Sequence, residues 1–219
     1  IIQKLYKQTQ FTHQAILPIV QLSIAPNNSV ESYYHFPKNG RLSDYIGFAH
    51  EDFISDDKVL TPTQKTIISY GIAHVLEYIH HQNYQFCEVN ARNVYLDDKF
   101  YPYLTNFFSI KKIDEPRSSK SKRLSKVCLK LDVYAYSIIY ASLIEPIAFD
   151  PPVESHIEFF EKFNNKLRPI IKNATPEQKL VLEMMWDWIP RDRIGFDKVL
   201  EYFDSGDLVF PGTNMEEFQ

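Results

Sequence analysis

Apolar positions follow two rhythms along this chain. Between Thr61 and about residue 82 the period is helical: Ile68, Ile72, Val75, Leu76 and Ile79 fall on one face. The start of that helix is marked chemically. Thr61 suits the N-cap, Pro62 the first helical position, and Gln64 completes a capping box. LDVYAYSIIYASLI (131–144) is apolar on all sides and predicts a buried central helix. VESHIEFFEKFNN (153–165) is amphipathic. Thr175-Pro176-Glu177-Gln178 opens a further capped helix, with Leu180, Met184 and Trp188 on one stripe, and FDKVLEYF (196–203) predicts another.

Elsewhere the apolar runs are short and bounded by turn residues. HQAILPIVQLSIAPNNSVESYYHF predicts two strands joined at Ala25-Pro26-Asn27-Asn28. FPKNGRLSDYI reads as a loop entering a short helix. NVYLDDKFYPYLTNF predicts a hairpin turning at Asp-Asp-Lys. IIQKLYKQTQF reads as the end of a helix. Residues 111–130 are polar and basic and predict a solvated loop. The pattern places a small β-containing front ahead of a helical back, an α+β class.

Composition narrows the function without choosing it. In 219 residues, hydrophobic residues are 44% and charged residues 24%, so the chain can bury a substantial core. A net charge of −4 supplies no global field for nucleic acid. Cys87 and Cys128 make no disulfide framework, so a reducing, cytoplasmic setting is expected. No apolar run reaches the ~20 residues a membrane helix needs. The first residue is not Met and MEEFQ reads as an opening helix, which predicts a piece of a longer chain.

The candidate chemistry lies at QFCEVNARNVYLDD, from residue 85, and PYLTNFFSI. Phe86-Cys87-Glu88-Val89, with Asn93 four residues later, matches the length of the H-R-D-L-x-x-x-N loop of protein kinases, and Asn106-Phe107-Phe108 stands where D-F-G should follow. With the helix before the loop and the all-apolar helix after it, the chain resembles a protein kinase domain of the tyrosine-kinase-like group, over nearly its whole length. The resemblance implies a kinase-like fold in three parts. Residues 1–36 would be a partial small lobe (C helix, two strands and hinge), 37–210 the helical large lobe, and 211–219 the start of a C-terminal extension. It also implies that Asp132 braces the catalytic-loop backbone, and that Trp186 and Arg193 are large-lobe structural residues.

The reactive positions depart from the family. Phosphoryl transfer needs a base near the substrate hydroxyl, carboxylate on Mg²⁺ and a lysine on the phosphates. Glu88 replaces the base Asp and is one methylene longer. Asn106 replaces the metal-binding Asp, and its amide carries no charge; Asn93 is an amide as well. Phe108 replaces glycine and is expected to pack between the lobes with Phe107. Cys87 replaces an arginine, removing an Arg–phosphate switch. The segment 107–131 is short for an activation segment and holds no A-P-E. The C-helix Glu position falls near Lys4. No Gly-rich loop or strand lysine precedes the first helix.

These departures imply a pseudokinase, not an enzyme, acting as a protein-binding or scaffolding module and expected in the cytoplasm, within a large assembly such as a cytoskeletal one. The alternatives are a regulatory domain binding ATP weakly without metal at a vestigial hinge (Tyr33, Tyr34, His35 and Phe36), or residual kinase activity through Glu88. No metal, cofactor, nucleic-acid or membrane partner is expected. Lys111, Lys112, Arg117, Lys120, Lys122, Arg123, Lys126 and Lys130 are a candidate docking patch for an acidic partner, with Ser118, Ser119, Ser121 and Ser125 placed to reverse its field if phosphorylated. Each site residue also has a plainer reading. Glu88 is a loop carboxylate held by backbone N–H groups, Asn93 a loop brace and Cys87 inert packing. Tyr33, Tyr34 and Tyr95 read as core or interlobe packing. His80 and His81 suit the end of a helix dipole.

Overall fold

The computed structural model describes residues 9–27, 30–46, 58–113, 119–147 and 168–218, without the side chains of 22, 30, 32 and 119–127. The expectations at Lys4, at the helix 153–165, at Arg117 and Ser118, and for the side chains of Ser119, Lys120, Ser121, Lys122, Arg123, Ser125 and Lys126 lie outside the described residues.

Helix α1 (Pro62–His81) starts where its cap residues place it. Thr61 Oγ1 accepts from Gln64 N at 3.2 Å, and Gln64 Oε1 accepts from Thr61 N at 2.9 Å. Two of the helix's otherwise unpaired donors are thereby satisfied. Its apolar stripe, from Ile68 to Ile79, is buried. Helix α2 (Ser119–Ile144) crosses it. The buried Tyr136 donates from its hydroxyl to Ser69 O at 3.0 Å on α1, and Tyr140 to Leu208 O at 2.8 Å. Each ring is in the core while its polar tip is satisfied.

Helices α3 (Pro176–Met185), α4 (Phe196–Asp204) and α5 (Met215–Phe218) complete the described helical part. Phe196 of α4 packs edge-on to Tyr136 and His80. At Gly71 on α1 a Cβ would stand 2.5 Å from the Pro102 ring, so a side chain there would push the next hairpin off the helix.

Among the described residues, strands form three two-stranded antiparallel sheets. β1 (Gln21–Ile24) pairs with β2 (Val30–Tyr33), joined at the Pro-Asn turn. β3 (Tyr84–Gln85) pairs with β6 (Lys111–Lys112), and β4 (Val94–Leu96) with β5 (Pro102–Leu104). The segment leading to β1 is tied to β5, with Leu104 N donating to Ala15 O at 2.8 Å and Leu17 N to Leu104 O at 3.1 Å. The architecture mixes helices with small sheets and is compatible with an α+β class. Among the described residues no helix is long and apolar enough to cross a membrane.

Three expectations are corrected. Residues 119–130 are not loop: α2 begins at Ser119, inside the segment that the kinase resemblance assigns to activation. Residues 119–131 hold no Gly or Pro, and their Lys, Arg and Leu are good helix formers that extend the apolar helix toward the N-terminus. The stripe Leu180, Met184, Trp188 is not the buried face of α3. That helix buries Gln178, Val181, Leu182 and Met185, leaves Leu180 exposed, and ends before Trp188. Residues 9 and 10, read as part of a helix, form a turn.

Candidate functional site

The loop from Phe86 to Asn93 leaves β3 and turns sharply. Cys87 has φ +72°, a left-handed conformation that non-glycine residues seldom adopt. Asp132 on α2 holds that turn. Its carboxylate, 2% exposed, accepts from Phe86 N at 2.7 Å and from Cys87 N at 3.0 Å. His80 Nε2 donates to the same carboxylate at 3.0 Å. A buried carboxylate with three donors is well satisfied. Phe86 is buried where the kinase motif has His and meets Phe107 edge-on at 5.2 Å; Phe107 in turn packs on Phe11. Burial, chiefly, pushes the Cys87 thiol above its ordinary value, which disfavours thiolate chemistry.

The polar side chains of the loop bind one another. Asn93 Nδ2 donates to Glu88 O at 2.8 Å, and Asn90 Nδ2 to the same oxygen at 3.1 Å. Thr105 donates from both N and Oγ1 to Asn93 O, which locks β5 to the loop. Asn106, at φ 65° and ψ 56°, donates from Nδ2 to Asn93 Oδ1 at 3.4 Å, a long contact. Among the described residues no backbone N–H holds the Glu88 carboxylate, contrary to its plainer reading. Its Oε1 accepts from Ser109 Oγ at 2.8 Å, because the turn Phe107–Ser109 carries that hydroxyl back over the loop.

Beside this network lies a cleft of about 440 Å³. Its rings are Tyr33, Tyr34, Phe36, Tyr95 and Phe108; its amides are Asn93 and Asn106; its charges are Arg41 and Arg92. Among the described residues no carboxylate lines it. Arg41 Nε donates to the Tyr95 hydroxyl at 2.8 Å, and the guanidinium lies over the Tyr95 ring. That bond raises the arginine's already high pKa.

Phe107 and Phe108 part company. Phe107 is buried, whereas Phe108 is 41% exposed and lines the cleft. Of the expected hinge residues, Tyr33, Tyr34 and Phe36 line the cleft, while His35 is exposed and does not. Tyr33 and Phe36 are exposed rings on the cleft wall, so Tyr33 is not part of the buried core. Among the described residues no three His, Cys, Asp or Glu side chains converge to hold a metal.

The structural residues sit behind the loop. Trp186 is nearly buried. Arg193, 3% exposed, donates from Nε to Asp187 O at 2.9 Å and from Nη1 to Lys130 O at 3.0 Å, with its guanidinium over Tyr134. Of the candidate basic patch, Lys111 and Lys112 are exposed on β6, whereas Lys130 is half-buried in α2.

Sequence reasoning missed Ser109, Arg41 and Arg92 at the site, and the partner of His80. Each pairing joins positions with no shared local period; Ser109 and Glu88 are 21 residues apart, and His80 and Asp132 are 52 apart. A scan against protein-family models and a search of curated proteins return no match to this chain.

Proposed function

We propose that this chain is a protein-kinase-like domain that does not transfer phosphate and serves as a protein-binding module, working in the cytoplasm as part of a larger assembly. One observation carries the reading. Asn93 and Asn106, from the segments that resemble the catalytic loop and the metal-binding motif, meet at one cleft, and among the described residues that cleft is lined by two amides and two arginines and by no carboxylate. Mg²⁺ gives up water reluctantly and is ordinarily held through carboxylate together with phosphate. Glu88, the one acid of the loop, is engaged by Ser109. The frame is supported independently: Asp132 holds the loop backbone at Phe86 and Cys87.

The test is incorporation of radiolabelled phosphate into generic protein substrates. The chain should match an Asn93→Ala control. Incorporation above that control would overturn the reading. The double variant Glu88→Asp, Asn106→Asp should also remain inactive, since Phe108, Cys87 and a segment largely taken up by α2 leave substrate and metal no common geometry.

Arg41 and Arg92 favour one second reading, a regulatory domain that takes a nucleotide without metal. Guanidinium groups neutralise phosphate directly, and five rings offer stacking surfaces for a base.

A further inference from the structure

Away from the cleft, the segment leading into β1 rests on α1 through two histidines. His13 Nε2 and His74 Nδ1 are 3.2 Å apart, and the ring centroids are 4.9 Å apart. Ala15 N donates to His13 Nδ1 at 3.0 Å. That bond fixes the tautomer. With Nδ1 accepting, a neutral His13 carries its proton on Nε2 and donates to His74 Nδ1, which must then be unprotonated. A proton added to His13 at Nδ1 would face the Ala15 N–H. One added to His74 at Nδ1 would face the His13 N–H. The arrangement accommodates two neutral rings and no cation.

Among the described residues no carboxylate pairs with either ring, and Glu77 on α1 is engaged by His81. His74 stacks on Tyr70, and His13 lies against Tyr78, whose hydroxyl accepts from Thr12 N at 3.2 Å. From the 9–17 segment the neighbours are the uncharged Thr12 and Gln14. Asp204 at the end of α4 acts on Tyr70, whose pKa it raises after burial, but among the described residues no carboxylate stabilises a charged His13. Burial first, and His74 second, depress the pKa of His13 below its ordinary 6.5. What the pair holds is consequential. Ala15 and Leu17 bond to Leu104 of β5, two residues before Asn106, and the same segment continues into the β1–β2 hairpin that supplies Tyr33 to the cleft.

We propose that His13, seated against His74, is a pH-sensitive latch: neutral, it fixes the 9–17 segment and the hairpin it carries on α1; protonated, it releases them. Because the folded His13 value is depressed, the latch is at full strength above the unfolded value near 6.5 and weakens as pH falls through the folded value. The inference stands whether or not the cleft binds nucleotide.

Hydrogen exchange at Ala15, Ile16, Leu17 and Leu104, corrected for the intrinsic pH dependence, tests it on the 219-residue chain. From pH 7.5 to 5.5 the opening constant should rise by up to about tenfold as His13 takes up its proton in the open state. In the variant His13→Asn, His74→Gln the amides can keep the contacts without titrating, and the rise should vanish. An equal rise in variant and native chain, or no rise in either, would overturn the latch. Imidazole ¹⁵N spectra of the native chain give a readout that does not depend on the variant folding. They should show His13 as the Nε2–H tautomer with a midpoint below 6.5. An Nδ1–H tautomer, or a midpoint at or above 6.5, would overturn it equally.

Discussion

On the side of the 86–93 loop turned toward α2, a buried carboxylate meets two backbone N–H groups and an imidazole, and Phe86 is sealed against Phe107. Toward the cleft the loop presents Arg92 and Asn93, with Asn93 bonded to Asn106 and to Glu88 O; Glu88 itself is engaged by a serine hydroxyl, and Phe108 is exposed on the cleft wall. The same eight residues are thus rigidly specified behind and present no acid to the cleft in front. Burial explains the asymmetry. An unmet polar group on the inner side costs folding free energy directly, whereas a cleft-facing side chain can change without unfolding the protein. A frame resembling a reaction site therefore implies correct folding and does not by itself imply chemistry.

The largest effect should come from the inner side. Asp132→Ala leaves Phe86 N and Cys87 N buried without an acceptor while Cys87 remains in a left-handed turn. Denaturant unfolding should show a loss of about 2–5 kcal/mol. Asp132→Asn keeps one acceptor oxygen and should lose less. If Asp132→Ala falls within about 0.5 kcal/mol of the native chain, the loop is not held as described.

Gly71→Ala probes how the two sides are joined. Helix propensity alone favours Ala by about 1 kcal/mol. The Pro102 contact opposes it, because overpacking of this kind costs about 1–3 kcal/mol. Thermal unfolding should therefore show net destabilisation, whereas a rise in Tm would mean that β5 is free to move off α1. A smaller loss, about 1 kcal/mol, is expected for Thr61→Ala, which removes one half of the capping box at the start of α1. The smallest belongs to the outer side. Phe108→Ala should change stability by no more than about 0.5–1 kcal/mol, since the ring is exposed, and a core-sized loss would contradict its placement.

What the sequence made legible follows the same division. The start of α1, its buried stripe and the β4–β5 hairpin were readable because capping, periodicity and turn chemistry act over a few residues. Asp132 was readable because a lone acid in an all-apolar helix needs buried donors. The N-terminal extension of α2 was hidden by its polarity, since Ser and Lys read as loop although nothing among them breaks a helix. The buried face of α3 was mistaken because Gln178 is buried and Leu180 is not, against the usual preference. The Glu88–Ser109 and His13–His74 contacts join distant positions and left no local trace.

The most direct test of the central claim is a thermal-shift titration with ATP near 1 mM, with and without Mg²⁺. A ligand at 100 times its Kd would stabilise the fold by about 2.7 kcal/mol, a plainly visible shift. With no carboxylate among the described residues of the cleft wall, Mg²⁺ should add nothing to whatever ATP does alone. A rise in Tm with ATP alone would favour the metal-free nucleotide reading, through Arg41 and Arg92. A rise that requires Mg²⁺ would mean the cleft holds a metal–nucleotide complex after all, and would contradict the account.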